Sequence, residues 1–337
     1  MQLADIGGEF GFIDRICETY AGALGGDLAL SIGDDAAVLD VPAGKQVVVT
    51  TDLLIEGVHF RRDWSDFYSI GWKAAAVNLS DIAAMGADPT FTFVSLAVPA
   101  DETVENLERF YDSLSDCLTR YGAKLAGGDT NVSPHGLVVN VTQLGTVPVG
   151  QALIRSGAKV GDHLLVTGTL GNSAAGFALL SQFGLVKAEK AAKEMVHSHR
   201  RPQPRVIAGR AARGTGLVHA AMDISDGLSG DLQKLCAASG IGARLQADAL
   251  PIASQLRSAA ALLEQDAVDM ALNGGEDYEL LLAVAPRDVK KVSAAVAETG
   301  MTLTVIGEVV RTGLHIVGLD GKTEPFSKRH GWDHFSA

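Results

Sequence analysis

The sequence predicts an α/β (α+β) protein of two domains that meet near residue 150. Three observations carry this expectation. The chain has 337 residues, more than a single domain of roughly 100–200 residues usually holds. Segments rich in β-branched residues alternate with segments of helical periodicity. Residues 150–162, "GQALIRSGAKVGD", interrupt that periodicity with glycines. Residues 1–149 are therefore expected to form one domain and residues 150–337 a second.

In the first domain, "KQVVVTTDLL" (45–54) has the branched side chains of a strand. "FYSIGWKAAAVNLSDIAAMG" (67–86) reads as a helix closed near Gly86, with Pro89 just beyond. "TFTFVSLAVP" (90–99) is a strand, "TVENLERFYDSLSDCLTRYG" (103–122) an amphipathic helix stopping at Gly122, and "GLVVNVTQLGTVP" (136–148) another strand. The second domain continues with strand 163–168, helix 173–184, strand 218–225, helix 228–239, strand 278–284, helix 287–300 and strand 303–310. No low-complexity tract or fixed-period repeat interrupts the series, and hydrophobic residues at 47% with 38 glycines describe a globular chain with many tight turns.

A formal net charge of −12 argues against nucleic acid as a partner, because that binding depends on Lys and Arg neutralising phosphates. It argues equally against any phosphorylated ligand unless cations stand between. The first residues carry no basic-then-apolar leader pattern, and no charge-free apolar run reaches the ~18 residues of a membrane span. Cys17, Cys117 and Cys236 are far apart and in no metal-binding spacing. A soluble cytoplasmic protein with reduced cysteines is expected.

The distribution of acids is the informative feature. Asp34 and Asp35 follow a glycine in "SIGDDAAVLD"; Thr50, Thr51 and Asp52 lie toward a strand end; Asp129 follows Gly127 and Gly128. Asp223 and Asp226 sit where a strand gives way to a helix, and Glu276 and Asp277 follow Gly274 and Gly275. Asp81 stands inside an otherwise apolar helix, and the nearest upstream lysine, Lys73, is off its face. Each acid alone has a plain alternative: Ser225 or Asp226 as a helix cap, Gly-Asp pairs as ordinary turns. Those alternatives leave the repetition beside glycines unexplained. Hard cations explain it, since Mg²⁺ takes a few carboxylates together with phosphates and water, and ions so held let an acidic protein bind polyphosphate.

Familiar nucleotide signatures are missing. Gly321-Lys322-Thr323 resembles the end of a P-loop, but Ile316 stands where its first glycine belongs and Pro325 follows where a helix should begin. This segment reads as a surface turn. Protein-kinase motifs are absent. "TGTLGNSAAG" (167–176) runs from strand through a glycine-rich turn into a helix, a geometry able to bind an anion.

"GDDAAV", "TTDLLIEGVHF", "KAAAVNLSDIAAMGADP", "GGDT", "RSGAKVGD", "DISDGLSGDL", "GGEDYELLL", "IGEV" and "GWDHF" occur in this order. Together they resemble the thiamine-monophosphate kinase family, of the aminoimidazole-ribonucleotide-synthetase-like superfamily, over nearly the whole chain. The resemblance implies a homodimer paired through its N-terminal sheets, a C-terminal domain closing over the site, and Mg²⁺-dependent phosphoryl transfer from ATP to thiamine monophosphate, with several ions. It implies metal ligation by Asp35, Thr50, Thr51, Asp52, Asp81, Asp129, Asp223 and Asp226. Nucleotide contacts fall on Tyr111, Gly128, Asp129, Arg155 and Ser225, and substrate contacts on His59, Glu276 and Trp332. Other members of the superfamily, or a non-catalytic nucleotide sensor of the same fold, are the competing readings.

Overall fold

A computed structural model describes residues 1–20, 27–31 and 36–325. Asp34, Asp35 and Trp332 lie outside the described residues. The chain divides into two compact units, one of Met1–Ile82 with Ala87–Gly150, the other of Ala83–Gly86 with the chain from Gln151 onward.

The first unit contains α1 (Gly8–Tyr20), β1 (Leu28–Leu30), β2 (Val38–Leu39), β3 (Lys45–Ile55), α2 (Phe67–Ala84), β4 (Asp88–Pro99), α3 (Val104–Tyr121), β5 (Lys124–Ser133) and β6 (Val138–Pro148). Its main sheet has the order β3-β6-β4-β5. β6 runs antiparallel to both β3 and β4, whereas β4 and β5 are parallel, a pairing that needs a crossover such as α3 supplies. The segment around Asp129 is thus a full edge strand, where the sequence suggested only a glycine turn.

α2 is apolar on every side and correspondingly buried, with Ile70, Ala74, Ala75, Leu79 and Ile82 at 1% exposure or less. α3 is one-sided: Leu107, Phe110, Leu114, Cys117 and Leu118 face inward. It starts at Thr103, whose hydroxyl accepts from the Asn106 amide (3.3 Å), and ends at Gly122 in the left-handed conformation. The two helices touch at backbone level, because a Cβ on Gly71 would lie 2.0 Å from the Phe110 carbonyl oxygen. On β3, Val47, Val49 and Leu53 remain 43%, 61% and 47% exposed.

The second unit contains β7 (His163–Thr167), α4 (Asn172–Arg200), α5 (Val206–Gly214), β8 (Val218–Ile224), α6 (Leu228–Ser239), β9 (Gly242–Gln246), α7 (Ser254–Leu262), α8 (Ala267–Asn273), β10 (Glu279–Val284), α9 (Val289–Ala297), β11 (Leu303–Val310), β12 (Leu314–Val317) and β13 (Thr323–Pro325). The sheet order is β13-β12-β9-β11-β7-β10-β8. Its neighbours are antiparallel except β9 and β12. Leu164, Val166, Leu228, Leu232, Leu245 and Leu281 belong to its core. α4 continues past Gly184, where the sequence predicts a stop, because the chain breaks there (φ 70°, ψ 168°) and resumes helix. The Gly-Lys-Thr segment turns between β12 and β13, closed by a bond from the Gly318 amide to the Lys322 carbonyl (2.8 Å).

The Gly71 contact generates a stability prediction. Gly71→Ala should cost about 1–3 kcal/mol, the usual penalty for forcing an extra group into a packed interior. It should appear as a lower urea midpoint; an unchanged midpoint would mean that α2 and α3 separate freely.

Candidate active site

On β3 the alternation of side chains puts Thr50 and Asp52 on one face and Thr51 on the other. Thr50 Oγ1 donates to Asp81 Oδ2 on α2. Asp52 is half-buried beside them, and its carboxyl is pushed up to about 6, first by burial and then by the negative charge of Asp81. Two acids held together in this way favour a cation. The Thr51 hydroxyl is engaged across the sheet: it donates to the Val141 carbonyl (3.2 Å) and accepts from Asn140 Nδ2 (3.1 Å). That leaves only its backbone toward the Thr50–Asp52 face.

A transverse row runs Asp52–Val141–Val94–Gly128 across the sheet. A side chain at Gly128 would strike the Val94 carbonyl, whose oxygen is 2.0 Å from the Cβ position. The next residue, Asp129, is exposed beside Ser95. It projects from the opposite face of the far edge strand, about 14 Å from β3 at the usual strand spacing. A single sheet does not bring Asp129 to Asp52 and Asp81.

His59 follows β3. Its Nδ1 accepts from the Ile55 amide (3.0 Å), which leaves the proton of the neutral ring on Nε2 and makes that edge a donor. Buried Lys73 donates to the His59 carbonyl (2.9 Å), fixing the loop. Tyr111 is 4% exposed and packs against Phe12, Tyr20 and Phe110 with ring centroids 6.0, 5.7 and 5.3 Å away. It occupies a core position on the inward face of α3.

In the second unit, β8 delivers Asp223, 4% exposed, and then the turn that carries Ser225 and Asp226. The loop after α8 lies directly against this turn. The Glu276 amide donates to the Ser225 carbonyl (2.7 Å) and the Tyr278 amide to the Ile224 carbonyl (2.8 Å). Gly275 permits the approach, since a Cβ there would be 2.8 Å from the Ser225 oxygen. Glu276 and Tyr278 both adopt positive φ (65° and 51°), backbone strain of the kind held at functional sites. Asp223, Ser225, Asp226 and Glu276 are therefore gathered. Arg155 is exposed, and its carbonyl accepts from Ser239 Oγ (3.1 Å).

Residues overlooked in the sequence hold this group in place. Asp231 is wholly buried and accepts from the amides of Ser225 and Asp226, both at 2.9 Å. Glu276 Oε2 lies 3.0 Å from Nδ1 of buried His199, which also contacts Ser173 Oγ (3.2 Å). Asp277 accepts from the Gly171 amide (2.7 Å) and the Ser173 amide (3.4 Å). The helix start in "TGTLGNSAAG", expected to suit an anion, is thus filled by a carboxylate of the same chain. Behind it, Arg205 grips Glu279 with two bonds (2.7 and 2.5 Å), and Thr167 adds a third (2.6 Å). Asp231 had a signal in the sequence, the repeated aspartate of "SDGLSGD"; His199 had none. Among the described residues no three His, Cys, Asp or Glu side chains form a ready-made metal cage, and no helix is long and apolar enough to cross a membrane.

Residues 33–147 match the family described as AIR synthase related protein, N-terminal domain, and residues 159–320 match the corresponding C-terminal domain family. A thiamine-monophosphate kinase of Salmonella typhimurium is 41% identical over 335 residues, covering 98% of both chains. The chain belongs to the thiamine-monophosphate kinase family. The crystal structure of thiamine-monophosphate kinase from Stenotrophomonas maltophilia superposes with a TM-score of 0.80 at 38% identity, covering 92% of this chain and 95% of that one. The structure of AaThiL complexed with AMPPCP and TMP matches at 0.74 and 32%, covering 99% of each. The two-domain α/β architecture is accordingly that of the thiamine-monophosphate kinase family.

The Asp277 contact predicts a pH dependence of stability. Burial, joined by the charge of Glu279, pushes its carboxyl from 3.8 up to about 8 against the opposing pull of the helix amides. The folded chain then keeps a proton that the unfolded chain releases, so the contribution of this group to stability is fully present below pH 4 and is lost as pH climbs through 8. Asp277→Asn should flatten that contribution. Urea midpoints at pH 5 and pH 9 should differ less in the variant than in the wild type; equal differences would refute the assignment.

Proposed function

We infer that this protein transfers the γ-phosphoryl group of ATP to thiamine monophosphate, yielding thiamine diphosphate and ADP. The observation that carries the reading is the 41% identity sustained over 98% of the chain with a thiamine-monophosphate kinase. The chemistry of the site supports it. The acceptor is a phosphate oxygen, already largely ionised at pH 7 with a second pKa of about 6, so no general base is needed. The difficulty is repulsion between two polyanions, which phosphoryl transfer overcomes by positioning and charge neutralisation.

Mg²⁺, when bound, neutralises and bridges phosphate oxygens. The residues that would hold it are Asp52 and Asp81 with the Thr50 hydroxyl, Asp223 and Asp226, and by family resemblance Asp35, Asp129 and the backbone of Thr51. The raised pKa of Asp52 fits such a role, because a nearby cation relieves the repulsion that raises it. His59 donates from Nε2 to a phosphate oxygen. Exposed Arg155, Ser225 and the bare backbone at Gly128 bind nucleotide phosphates. Glu276, held by His199, offsets the positive thiazolium ring, and Trp332 stacks on the substrate. The role of Tyr111 is to pack α1 on α3.

A second copy of the chain completes the proposal. The exposed side chains of Val47, Val49 and Leu53 form an apolar strip suited to sheet-on-sheet pairing. The protein is then a cytoplasmic homodimer acting on small phosphorylated metabolites.

Purified protein given ATP, Mg²⁺ and thiamine monophosphate should form thiamine diphosphate and ADP in equal amounts, and chelator should stop both. ADP alone would identify another acceptor. Asp81→Asn should lower turnover at least about 100-fold with an unchanged circular dichroism spectrum, and wild-type turnover would remove Asp81 from the site. Val49→Asp combined with Leu53→Asp should shift sedimentation from dimer to monomer; no shift would place the interface elsewhere.

A further inference from the structure

Lys234, on α6, is shared between two carboxylates. Its Nζ donates to Asp231 Oδ1 at 2.8 Å and to Asp226 Oδ2. The two ends of this bridge differ. Asp231 is 0% exposed and its other oxygen is already committed to the amides of Ser225 and Asp226, so it is a fixed anchor. Asp226 is 36% exposed at its side chain and open to solvent. The ammonium is therefore tethered from behind and rests on a carboxylate that faces outward.

We propose that Lys234 is a resident counter-cation at Asp226, positioned by Asp231, that competes with divalent metal for this carboxylate and so sets the metal concentration the protein requires. The proposal rests on the reading of Asp226 as a metal ligand. An ordinary exposed ion pair is made and broken without consequence. Here the lysine is three residues from its anchor on the same helix and cannot drift away when an ion arrives. Metal entry must displace the ammonium from Asp226 Oδ2, yet the displaced charge stays on Asp231 within one helical turn and continues to repel the ion. Asp226 and Asp231 without the lysine would be two neighbouring acids with nothing between them, a stronger attractor of cations. Lys234 is thus a positioning residue with an opposing sign: it keeps the turn in shape without metal and weakens the metal when it comes.

The sign distinguishes this role from a structural one, which would weaken metal binding when the lysine is lost. Mn²⁺ titrations of the full chain without nucleotide, read from the electron paramagnetic resonance signal of free ion, provide the test. Lys234→Met should bind Mn²⁺ about 3- to 10-fold more tightly, the scale of one screened unit charge removed from nearby. Lys234→Arg should stay close to wild type, and Asp226→Asn should bind more weakly and abolish the gain when combined with Lys234→Met. Should the Met variant fail to fold, Lys234→Gln, which keeps a donor for Asp231 without the charge, decides the matter. Unchanged or weaker binding on loss of the charge, with Asp226→Asn still weakened, overturns the proposal alone. If Asp226→Asn binds as wild type, Asp226 is not a ligand and both readings fall.

Discussion

Asp52 and Asp81 repel each other across the space between β3 and α2, and nothing but burial and that repulsion governs the raised pKa of Asp52. Elsewhere the fold treats its inward carboxylates differently. Asp231 receives two amides and an ammonium, Glu279 a guanidinium and a hydroxyl, and Asp277 the first amides of α4. These groups are satisfied from within and serve as joints of the scaffold. Protein donors offset part of the cost of withdrawing charge from water at Asp231 and Glu279, whereas burial keeps the Asp277 carboxyl protonated up to about 8. At the other pair, Asp81 accepts the Thr50 hydroxyl and Asp52 sits beside it with its carboxyl pushed up to about 6.

The framework also explains why the functional residues of the second unit come from distant parts of the chain yet move as one. Asp223 lies near the end of the edge strand β8, Ser225 and Asp226 hang from Asp231, and Glu276 is fastened to Ser225 through its own backbone. Positive φ at Glu276 and Tyr278 is sustained because the bonds on either side of them leave the loop no relaxed alternative. Rigid support of this kind favours a reaction whose catalysis depends on placing charges rather than on shuttling protons.

Much of this was legible from residue order. The apolar run of α2 and the one-sided pattern of α3 give their helices directly, and Thr103 and Gly122 mark the limits of α3 by the same capping chemistry that the structure shows. Acids at strand ends drew attention to Asp52, Asp223 and Asp226, and Asp81 stood out as a carboxylate inside an apolar helix. What stayed hidden depends on partners remote in sequence. His199 is an undistinguished helix histidine until α4 brings it to Glu276, and β5 is disguised by the glycines that allow it to lie against β4. Tyr111 is buried by Phe12 and Tyr20 of α1, and no local pattern around it showed that. The α4 start, which looked able to bind an anion, is occupied by the carboxyl group of Asp277.

The pairing of β3 with β6 has a consequence for how the protein is made. Lys45 is matched with Pro148 and Ile55 with Val138, so β3 acquires this long ladder from a strand roughly 80–100 residues downstream, and the closure entropy of that loop must be met first. At ribosomal speeds of about 5–20 residues per second, the segment "KQVVVTTDLLI" emerges about 4–20 s before its partner. During that interval it is an extended apolar strand with both edges open, the state most prone to pair with a neighbouring nascent chain. The lysine and aspartate inside the segment, Lys45 and Asp52, then act as solubilising interruptions. Two charges fixed in the finished sheet thereby also guard the nascent chain.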